Sequence, residues 1–569
     1  MAVVPADEVG FVAAANQLYR DGKLRRRFEK TAVATPNVIL TLTELQMCLL
    51  ILSIHLMTNQ QQFTSTKIRN KYRNVLVPAL LMLAFSLFYL LTLAPTVLWG
   101  DDAFFQSAAY AGTLPPSRNH WIWLQLAHLL TALPIGNIAF RANLLSAVAA
   151  VGTLLVIYKV LRALKLSRGA AVAATVSLAV AHTFWTHAVR AEVYTVFTFL
   201  MAVQIWLWFR WEVDKPTYLF TAAFLFGLTI LGHQMGVLLI PALAVLVWKQ
   251  RHWLSRVDWI KLSSFFVVGL APFLGVMIFD IGSRTGNSLA GSIYLYFTHA
   301  GSDFTGSFFD FSLEYLVHDV GLWLGFLGLQ FVGLSAIAGL VGAVSIWRLG
   351  TPSPPWLSIT VLYATTVLFA ISYRVSDHFV FFLPSYIAFV LFIGAGWQDV
   401  EAFVNRQWPR WRWLRFSSLI AIPLLTYYFL PQALLALDLN PLGVRQLPGR
   451  EPNMFFLWPA KNDYLGAEDY GRTALETLPE NSVLLADYTP VETLKYLQNI
   501  EGVRPDVELI HIPPGIDLTV VLDEIEPGTE VYLADTNPNY YNFSNLPEAR
   551  LEPVGPIYRL TFQSDSAEP

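Results

Sequence analysis

The sequence predicts a polytopic α-helical membrane protein with a small α/β region at its C-terminal end. Of its 569 residues, 55% are hydrophobic and only 14% are charged, whereas roughly a quarter of the residues of a soluble domain carry charge. Apolar runs of roughly 20 residues, the length that a membrane-spanning helix needs, recur along the chain. Short β-rich runs replace them in the region 455–565.

About eleven segments are apolar and long enough to be spanning helices. They are 74–94, 140–162, 169–187, 193–211, 217–232, 235–249, 260–281, 319–347, 355–373, 379–397 and 416–436. We therefore expect one transmembrane domain over 74–436.

Four clusters of lysine and arginine set the predicted orientation. They are 65–74, 161–168, 249–256 and 405–415. If the spans alternate, all four clusters fall on one side, and short basic loops mark the cytoplasmic side. The opposite loops, 95–139, 187–192, 282–318 and 374–378, are then external. The segment 437–569 is predicted to be extracytoplasmic, in a multi-pass protein of the cell membrane.

Residues 1–73 are predicted to form an N-terminal cytoplasmic segment. Residues 36–57 are moderately apolar, but polar residues such as Glu44 interrupt them, which favours a short amphipathic helix over a span. The residues after Met57 resemble an ordinary cytoplasmic N-terminus. The alternative is therefore that translation starts at Met57 and that residues 1–56 are not part of the native chain. No short apolar core follows directly on a charged start, as it does in a cleaved signal peptide.

The region 437–569 is predicted to be an α/β domain. Its β-rich runs are 482–488, 507–512, 530–536 and 556–562, with a helical stretch between the first two. Strand, helix and strand in this order predict parallel pairing. Asp487 and Asp535 end two of these strands, where α/β sheets bind ligands. The alternative is that both residues simply end their strands.

Composition also excludes some classes of function. The single cysteine, Cys48, excludes an internal disulfide and cysteine-based metal sites. No basic domain or recognition motif is present, so nucleic acid is not an expected partner.

A set of motifs follows Asp101 along the chain. They are IAFRANLLSAV (138–148), TFWTHAVRAEVY (183–194), LGHQ (231–234), SDHFVFFLPSYI (376–387) and YLQNIEGVRPDVELI (496–510). In this order, the chain resembles a bacterial multispanning family related to the plexin-type protein O-mannosyltransferases, of the GT-C glycosyltransferase superfamily. In two places it departs from the family pattern. Phe104 stands at a glutamate position, and PPSRNHWIW (115–123) replaces a His-Pro-Pro-Gly stretch.

The resemblance implies a GT-C-like fold and a glycosyltransferase activity. Such enzymes move a sugar, mannose-like in this family, from a polyprenyl-phosphate donor to an acceptor hydroxyl on the external face. The expected partners are this donor, a protein or glycan acceptor, and membrane lipid.

Asp101 and Asp102 are the predicted catalytic residues. A carboxylate near the acceptor hydroxyl acts as general base, and the match of Asp101 to the family supports that role. Adjacent side chains on a helix point about 100° apart, so we expect one of the pair to face the cavity. The alternative is a helix N-cap followed by an acidic first turn, which WGDDAFFQ (99–106) also fits.

The predicted substrate-binding residues share an external position at the membrane edge. They are Glu192, Arg190, His187, His233, Arg374, Arg118 and His120. The leaving phosphate needs cationic or hydrogen-bonding partners. Residues two apart on a helix do not face each other, so Glu192 is expected to pair with another loop or to contact substrate. Interfacial anchoring is the alternative for each of the basic residues.

Two further questions stay open at this level. A divalent cation could be held by Asp101, Asp102, Glu192 and His120, but no metal-ligand spacing is visible, and no cofactor is predicted.

A transporter or flippase of a lipid-linked glycan is the alternative function. It would favour internal repeats and broken helices, and no repeat is visible. A non-catalytic scaffold is the second alternative.

Overall fold

A computed structural model gives the architecture of the chain. It describes residues 75–562, apart from 113–119, 214–216, 299–312, 408–409 and 411–413 and the single positions 349, 351, 374, 376, 442 and 444. The predictions for the N-terminal segment 1–73, including its amphipathic helix, lie outside the described residues. The chain divides into two units, Met1–Ala79 and Leu80–Pro569, and all contacts given below lie within the second.

Helices dominate the first part of the described chain. They are α1 Val75–Thr92, α2 Asp101–Ala111, α3 Trp121–Thr131, α4 Ile138–Ala163, α5 Arg168–Ala179, α6 His182–Ala188, α7 Tyr194–Val213, α8 Thr217–Gly232 and α9 Ile240–Gln250. A 3₁₀ turn, Gln234–Leu239, precedes α9, and another, Arg251–Trp253, follows it.

The helical part continues to the last apolar helix. Its elements are α10 Arg256–Gly275, the π-helical turn Val276–Gly282, α11 Ser283–Thr285, α12 Leu289–Thr298, α13 Leu313–Gln330, α14 Leu334–Ser345, α15 Pro354–Ser372, the 3₁₀ turn His378–Phe382, α16 Leu383–Gln407 and α17 Leu414–Ala436.

Among the described residues, six helices are long and apolar enough to cross a membrane, or up to eight if each of two bent pairs is one span. The six are α1, α4, Arg256–Thr285, α15, His378–Gln407 and Arg415–Ala436. The bent pairs are α5–α6, at 66°, and α13–α14, at 117°. Eleven spans are therefore not confirmed. The predicted spans 217–232 and 235–249 form apolar helices, but these are shorter than 18 residues.

Burial separates the central helices from the peripheral ones. In the apolar window of His378–Gln407, 83% of residues are buried, against 11% in α1. Gly342 of α14 and Gly396 of α16 let two backbones touch, since a Cβ on Gly342 would lie 1.9 Å from the carbonyl oxygen of Phe392. Small residues at such crossings are typical of helix packing in membranes. The core of the helical part therefore lies around α16.

A five-stranded sheet with flanking helices forms the C-terminal part. After α18 Pro452–Leu457 and α19 Gly466–Thr477, the elements are β1 Val483–Ala486, α20 Tyr488–Glu501, β2 Glu508–His511, α21 Leu518–Leu522, β3 Val531–Leu533, β4 Ala549–Val554 and β5 Ile557–Phe562. The strand order is β2-β1-β3-β5-β4. The predicted parallel pairing is confirmed for β1 and β2, with Val483 opposite Glu508. Strand β1 also pairs in parallel with β3, whereas β5 is antiparallel to β3 and β4.

Helix α20 attaches the sheet to the segment between α1 and α2. The backbone amide of Gly100 donates to the carbonyl of Thr489 at 3.1 Å, and the Thr493 hydroxyl donates to the carbonyl of Leu98 at 2.8 Å. These polar contacts accompany an apolar cluster that includes Trp99 and residues of α19 and α20. The helix after β1 is therefore fixed beside the start of α2, where the two predicted catalytic carboxylates lie.

Candidate functional site

Asp101 and Asp102 form the first turn of α2. The N-cap is Gly100, with φ 57° and ψ −119°, and no side chain caps the helix. Glycine reaches this backbone conformation readily because it has no Cβ. Asp101 is therefore not the N-cap that the alternative interpretation required, although the acidic first turn is observed. Negative charge at this end of a helix is favoured by the helix dipole.

Arg190 lies between two buried carboxylates. Its Nε donates to Oδ1 of Asp102 at 2.9 Å, and its terminal nitrogen lies 2.9 Å from Oδ2. The same terminal nitrogen donates to Oε1 of Glu192 at 3.1 Å. The expectation that Arg190 does not face Glu192 is wrong, because both residues lie in the connection between α6 and α7 and not on a helix.

Burial shapes the protonation of this cluster. It raises the pKa of Asp102 to about 6, although Arg190 opposes the shift. It also raises the pKa of Glu192 well above its ordinary value, again against Arg190. Burial acts to lower the pKa of Arg190, but Asp102 and Glu192 raise it overall. The cluster is thus a permanent cation between two carboxyl groups that accept protons more readily than exposed ones do.

Asp101 takes a different partner from its neighbour. Its Oδ1 accepts a hydrogen bond from the hydroxyl of Tyr488, the first residue of α20, at 2.6 Å. Asp102 is fully buried, whereas Asp101 is partly exposed. The expectation that the two side chains diverge is therefore confirmed, and Asp101 is the one that solvent or a ligand can reach.

Lys461 is a buried cation beside this cluster. The sequence did not predict it as a site residue. It is 2% exposed, its backbone amide donates to Thr92 at 2.9 Å, and its ammonium group donates to the carbonyl of Trp458. Burial, together with the charge of Arg190, lowers the pKa of Lys461 to about 7, while Asp102 opposes this. A lone lysine in the aromatic stretch FFLWPAKNDY (455–464) was the available signal.

Arg450 supplies a further cation. Its guanidinium lies 4.7 Å from the ring centre of Phe455, and the ammonium of Lys461 lies 5.2 Å from the same ring. Burial lowers the pKa of Arg450 to about 10, so that the group stays charged at neutral pH. Among the described residues, no hydrogen-bond acceptor meets its buried Nε. Arg450 and Lys461 therefore place two cationic side chains around one aromatic ring.

The predicted histidines form an aromatic group next to the carboxylates. The rings of His120 and His233 lie 5.0 Å apart, and Tyr194 lies 5.2 Å from both His233 and His187. His233 accepts from the backbone amide of Met235 at 3.1 Å. The structure thus brings His187 and His233 against Tyr194, and His120 against His233.

Two predicted substrate-binding residues, Arg118 and Arg374, lie outside the described residues. In the part of the chain that the structure describes, no group of three or more His, Cys, Asp or Glu side chains is arranged to hold a metal ion.

A second arginine cluster lies at the carboxyl ends of β1 and β3. Arg445 donates to both carboxylate oxygens of Asp487, at 2.8 and 2.9 Å, and to Asp535 at 2.9 Å. Asp487 also caps α20 by accepting from the amide of Thr489 at 3.1 Å. Both predicted strand-end carboxylates are therefore engaged by one arginine.

A cavity of about 560 Å³ lies beside this second cluster. It is lined by the hairpin 446–451 on one side and by Ala534, Asp535 and Tyr558 on the other. Tyr464 ties the hairpin to the start of α2, since its hydroxyl donates to Gly449 at 3.1 Å and accepts from Trp99 at 2.6 Å. The cavity thus adjoins the segment that carries Asp101.

Residues 120–256 match the family model described as the N-terminal domain of the protein O-mannosyl-transferase TMEM260. Protein O-mannosyl-transferase TMEM260 of Mus musculus is 23% identical over 458 residues, which cover 74% of this chain and 60% of the mouse protein. The chain thus spans less than two thirds of that relative's length. These matches confirm the predicted resemblance, and the matched region includes Arg190, Glu192, His120, His187 and His233.

One solved structure shows the same fold. ArnT from Cupriavidus metallidurans in the apo state matches with a TM-score of 0.53 at 13% identity, over 85% of this chain and 97% of ArnT. The Archaeoglobus fulgidus oligosaccharyltransferase matches with a TM-score of 0.44 at 12% identity, over 77% of this chain and 64% of that chain. The likeness to ArnT confirms a GT-C-like fold for this multi-pass membrane protein.

Proposed function

We propose that this chain is a membrane glycosyltransferase that transfers a mannose-like sugar from a polyprenyl-phosphate donor to an acceptor hydroxyl. The observation that carries the proposal is a partly exposed carboxylate, Asp101, next to the cation Arg190. Two further buried cations, Lys461 and Arg450, act in turn on Arg190. Transfer of a sugar from a lipid phosphate needs a base for the acceptor and positive charge for the leaving group.

Asp101 is the general base in this proposal. The acceptor oxygen attacks the anomeric carbon, its proton passes to the carboxylate of Asp101, and the bond from that carbon to the phosphate oxygen breaks. The donor leaves as polyprenyl phosphate, and a single displacement inverts the anomeric carbon. Asp102 is unsuited to this role because it is fully buried and its carboxylate is paired with Arg190.

The cations stabilise the leaving phosphate. Arg190 is held rigidly by Asp102 and Glu192, so its charge is oriented before the donor arrives. Lys461 and Arg450 add charge around the ring of Phe455, and each acts electrostatically on Arg190. Charges that are preorganised in a water-poor site stabilise a developing anion far more than the same charges do in water.

The C-terminal sheet holds the acceptor in this proposal. The cavity of about 560 Å³ offers the amide, guanidinium, carboxylate and phenol groups of Gln446, Arg450, Asp535 and Tyr558. It adjoins the segment before Asp101 through Tyr464. The name of the mouse relative supports a protein acceptor and mannose, and a glycan acceptor is the second candidate that these polar groups fit.

The active site lies on the extracytoplasmic face in this proposal. Its support is the alternation of the four basic loops, which places 437–569 outside. Reporter fusions after residue 450 test the point directly. An external signal is expected, and a cytoplasmic signal would contradict the orientation.

The central test compares Asp101→Asn, Asp101→Ala and Asp102→Asn in purified protein in nanodiscs. The assay supplies polyprenyl-phosphate mannose and a peptide that contains serine and threonine. Asp101→Asn keeps the size of the side chain but cannot take a proton, so transfer is expected to fall by about 10²–10⁴ with an unchanged melting temperature. Near-normal transfer by Asp101→Asn would end the role of Asp101 as base.

A transporter of lipid-linked glycans remains the contrasting class. In a transporter, Asp101→Asn would impair the flipping of a fluorescent lipid-linked glycan. The wild-type protein would form no new glycosidic bond. Mass spectrometry of the peptide separates the two classes, because only a transferase adds the mass of the sugar.

A further inference from the structure

The C-terminal sheet reaches into the proposed active site through one side chain. Tyr488 and Asp101 are 387 residues apart in sequence, yet the tyrosine hydroxyl donates to Oδ1 of Asp101 at 2.6 Å. Short hydrogen bonds from a hydroxyl to a carboxylate are among the stronger ones in proteins. The carboxylate is therefore oriented by a residue that is outside the helical part of the chain.

Helix α20 is docked at several points along the same face. Thr489 accepts from the backbone amide of Gly100 and Thr493 donates to Leu98. One turn further on, the hydroxyl of Tyr496 accepts from the backbone amide of Ala139 at 3.0 Å. These contacts leave Tyr488 little freedom to move relative to the start of α2.

The backbone at Tyr488 is held in place as firmly as the hydroxyl group of its side chain. The preceding residue, Asp487, is the N-cap of α20 and is 1% exposed. It is bound by both terminal nitrogens of Arg445 and by the hydroxyl of Tyr541, which donates at 3.2 Å. Arg445 in turn binds Asp535 at the end of β3. Hydrogen bonds therefore link Asp535, at the edge of the cavity, to Asp487, and the next residue of the chain, Tyr488, binds Asp101.

We propose that Tyr488 is a positioning residue for the transfer reaction, which orients the carboxylate of Asp101 and favours its ionised form. The inference rests on the proposed role of Asp101 as base. A donated hydrogen bond favours the charged state of a carboxyl group and so keeps it ready to accept a proton. In this view the C-terminal sheet is part of the catalytic apparatus and does more than hold the acceptor.

Other charged and titratable groups also act on Asp101, and they stay in place when Tyr488 changes. They are Asp102 on α2, Arg190 and Glu192 before α7, and Tyr194 at its start. His511 on β2 faces Tyr488 itself, with ring centres 6.1 Å apart. Removing one hydroxyl from Tyr488 isolates its hydrogen bond from these influences.

The test is the pH profile of kcat/KM for Tyr488→Phe, with the lipid donor and peptide of the Asp101 experiment. Without the donated hydrogen bond, Asp101 binds its proton more tightly, so the acid limb is expected to move up by about one pH unit. That shift corresponds to a tenfold loss of kcat/KM below the limb. The KM for the donor and the melting temperature are expected to stay close to those of the wild type, because the ring is kept.

Two controls separate positioning from packing. Tyr532→Phe removes the same kind of bond, since the Tyr532 hydroxyl donates to Glu530 at 2.9 Å, but on β3 and without touching Asp101. Thr493→Val removes a docking bond of α20 without touching Asp101. Both controls are expected to leave the acid limb where it is, even if Thr493→Val lowers the melting temperature.

The outcomes distinguish this inference from the proposed function. If Asp101→Asn abolishes transfer but Tyr488→Phe leaves the acid limb unmoved, the positioning role is wrong and the base role stands. A Tyr488→Phe variant that loses stability as Thr493→Val does, with an unmoved limb, would also overturn it. If Asp101→Asn transfers sugar normally, the proposed role of Asp101 as base is wrong, and the positioning role of Tyr488 is wrong with it.

Discussion

Arg190 and Arg445 are each held between two carboxylates, in two parts of the molecule with different surroundings. Arg190 bridges Asp102 and Glu192 in the connection between helices. Arg445 bridges Asp487 and Asp535 at the ends of parallel strands. In the second cluster each carboxylate has further protein donors: the hydroxyl of Tyr541 and backbone amides.

The difference lies in what adjoins each cluster. Beside Arg190 lie another carboxylate, Asp101, and a buried ammonium, Lys461. Beside Arg445 lie the ring of Tyr540, 4.2 Å from the guanidinium, and the cation Arg450, which also acts on Arg190. We infer that the Arg445 cluster is a structural joint, which links the ends of β1 and β3, because further protein donors bind both of its carboxylates. In the proposed function the Arg190 cluster takes part in the chemistry, because a third carboxylate, Asp101, adjoins it.

Of the variants that compare the two clusters, Arg190→Met is expected to affect activity most. Removing one preorganised cation from a site where negative charge develops typically costs about 10²–10³ in rate. The loss of stability is expected to be moderate, because Asp102 and Glu192 have raised pKa values and can take up protons. Transfer rate and melting temperature are measured together, and a variant with normal transfer would remove the distinction between the clusters.

Arg445→Met is expected to affect stability first. It leaves Asp487 and Asp535 without their cation, and breaking a buried ion pair from one side costs about 3–5 kcal/mol. Thermal and denaturant unfolding measure this loss. Protein that stays folded at low temperature should keep most of its donor binding. A stability change below about 1 kcal/mol would contradict the view of this cluster as a structural joint.

Gly100→Ala tests the backbone that presents the first cluster. Its φ of 57° with ψ of −119° is strained for any residue with a Cβ, at a cost of about 1–3 kcal/mol. Because Asp101 follows directly, transfer is expected to fall more than stability does. Gly502→Ala is the control: it also has positive φ, at 71°, but it caps α20 at the opposite end from Tyr488. Equal effects on transfer from both variants would show that the loss is not local.

The smallest expected effect is a pH dependence carried by Lys461. Its pKa falls to about 7 on folding, so the ammonium loses its proton as the pH rises through 7. Donor binding is then expected to weaken above pH 7, seen as a rising KM for the lipid donor. Lys461→Met should remove this rise, whereas Lys495→Met, at a half-exposed lysine paired with Glu492, should keep it.

The same pKa fixes the sign of the stability change. Between pH 7 and the ordinary lysine value near 10.5, the unfolded chain keeps a proton that folded Lys461 has lost. The unfolded state then binds more protons, so this group makes the protein more stable as the pH rises through that window. A flat contribution, obtained by comparing wild type with Lys461→Met, would mean that Lys461 stays charged when folded.

Much of the fold follows from local properties of the sequence. Runs of apolar residues predicted the membrane helices, and β-rich runs with a helix between them predicted the parallel pairing of β1 and β2. The span count was less secure, because 169–187 and 319–347 each read as one apolar run but are bent by 66° and 117°. Hydropathy measures length and polarity, and it carries no information about direction.

The sequence by itself determined the helical membrane class, the resemblance that the matched region 120–256 confirms, and the candidate carboxylates at the start of α2. Only the tertiary structure decided which partners those carboxylates take. Arg190 reaches Glu192 because their segment is not helical, and Lys461 and Tyr488 reach Asp102 and Asp101 across more than 350 positions of chain. The physical reason is that periodicity and propensity are local properties. A buried charge, by contrast, is paired by whatever group the packing of distant segments brings within a few ångströms.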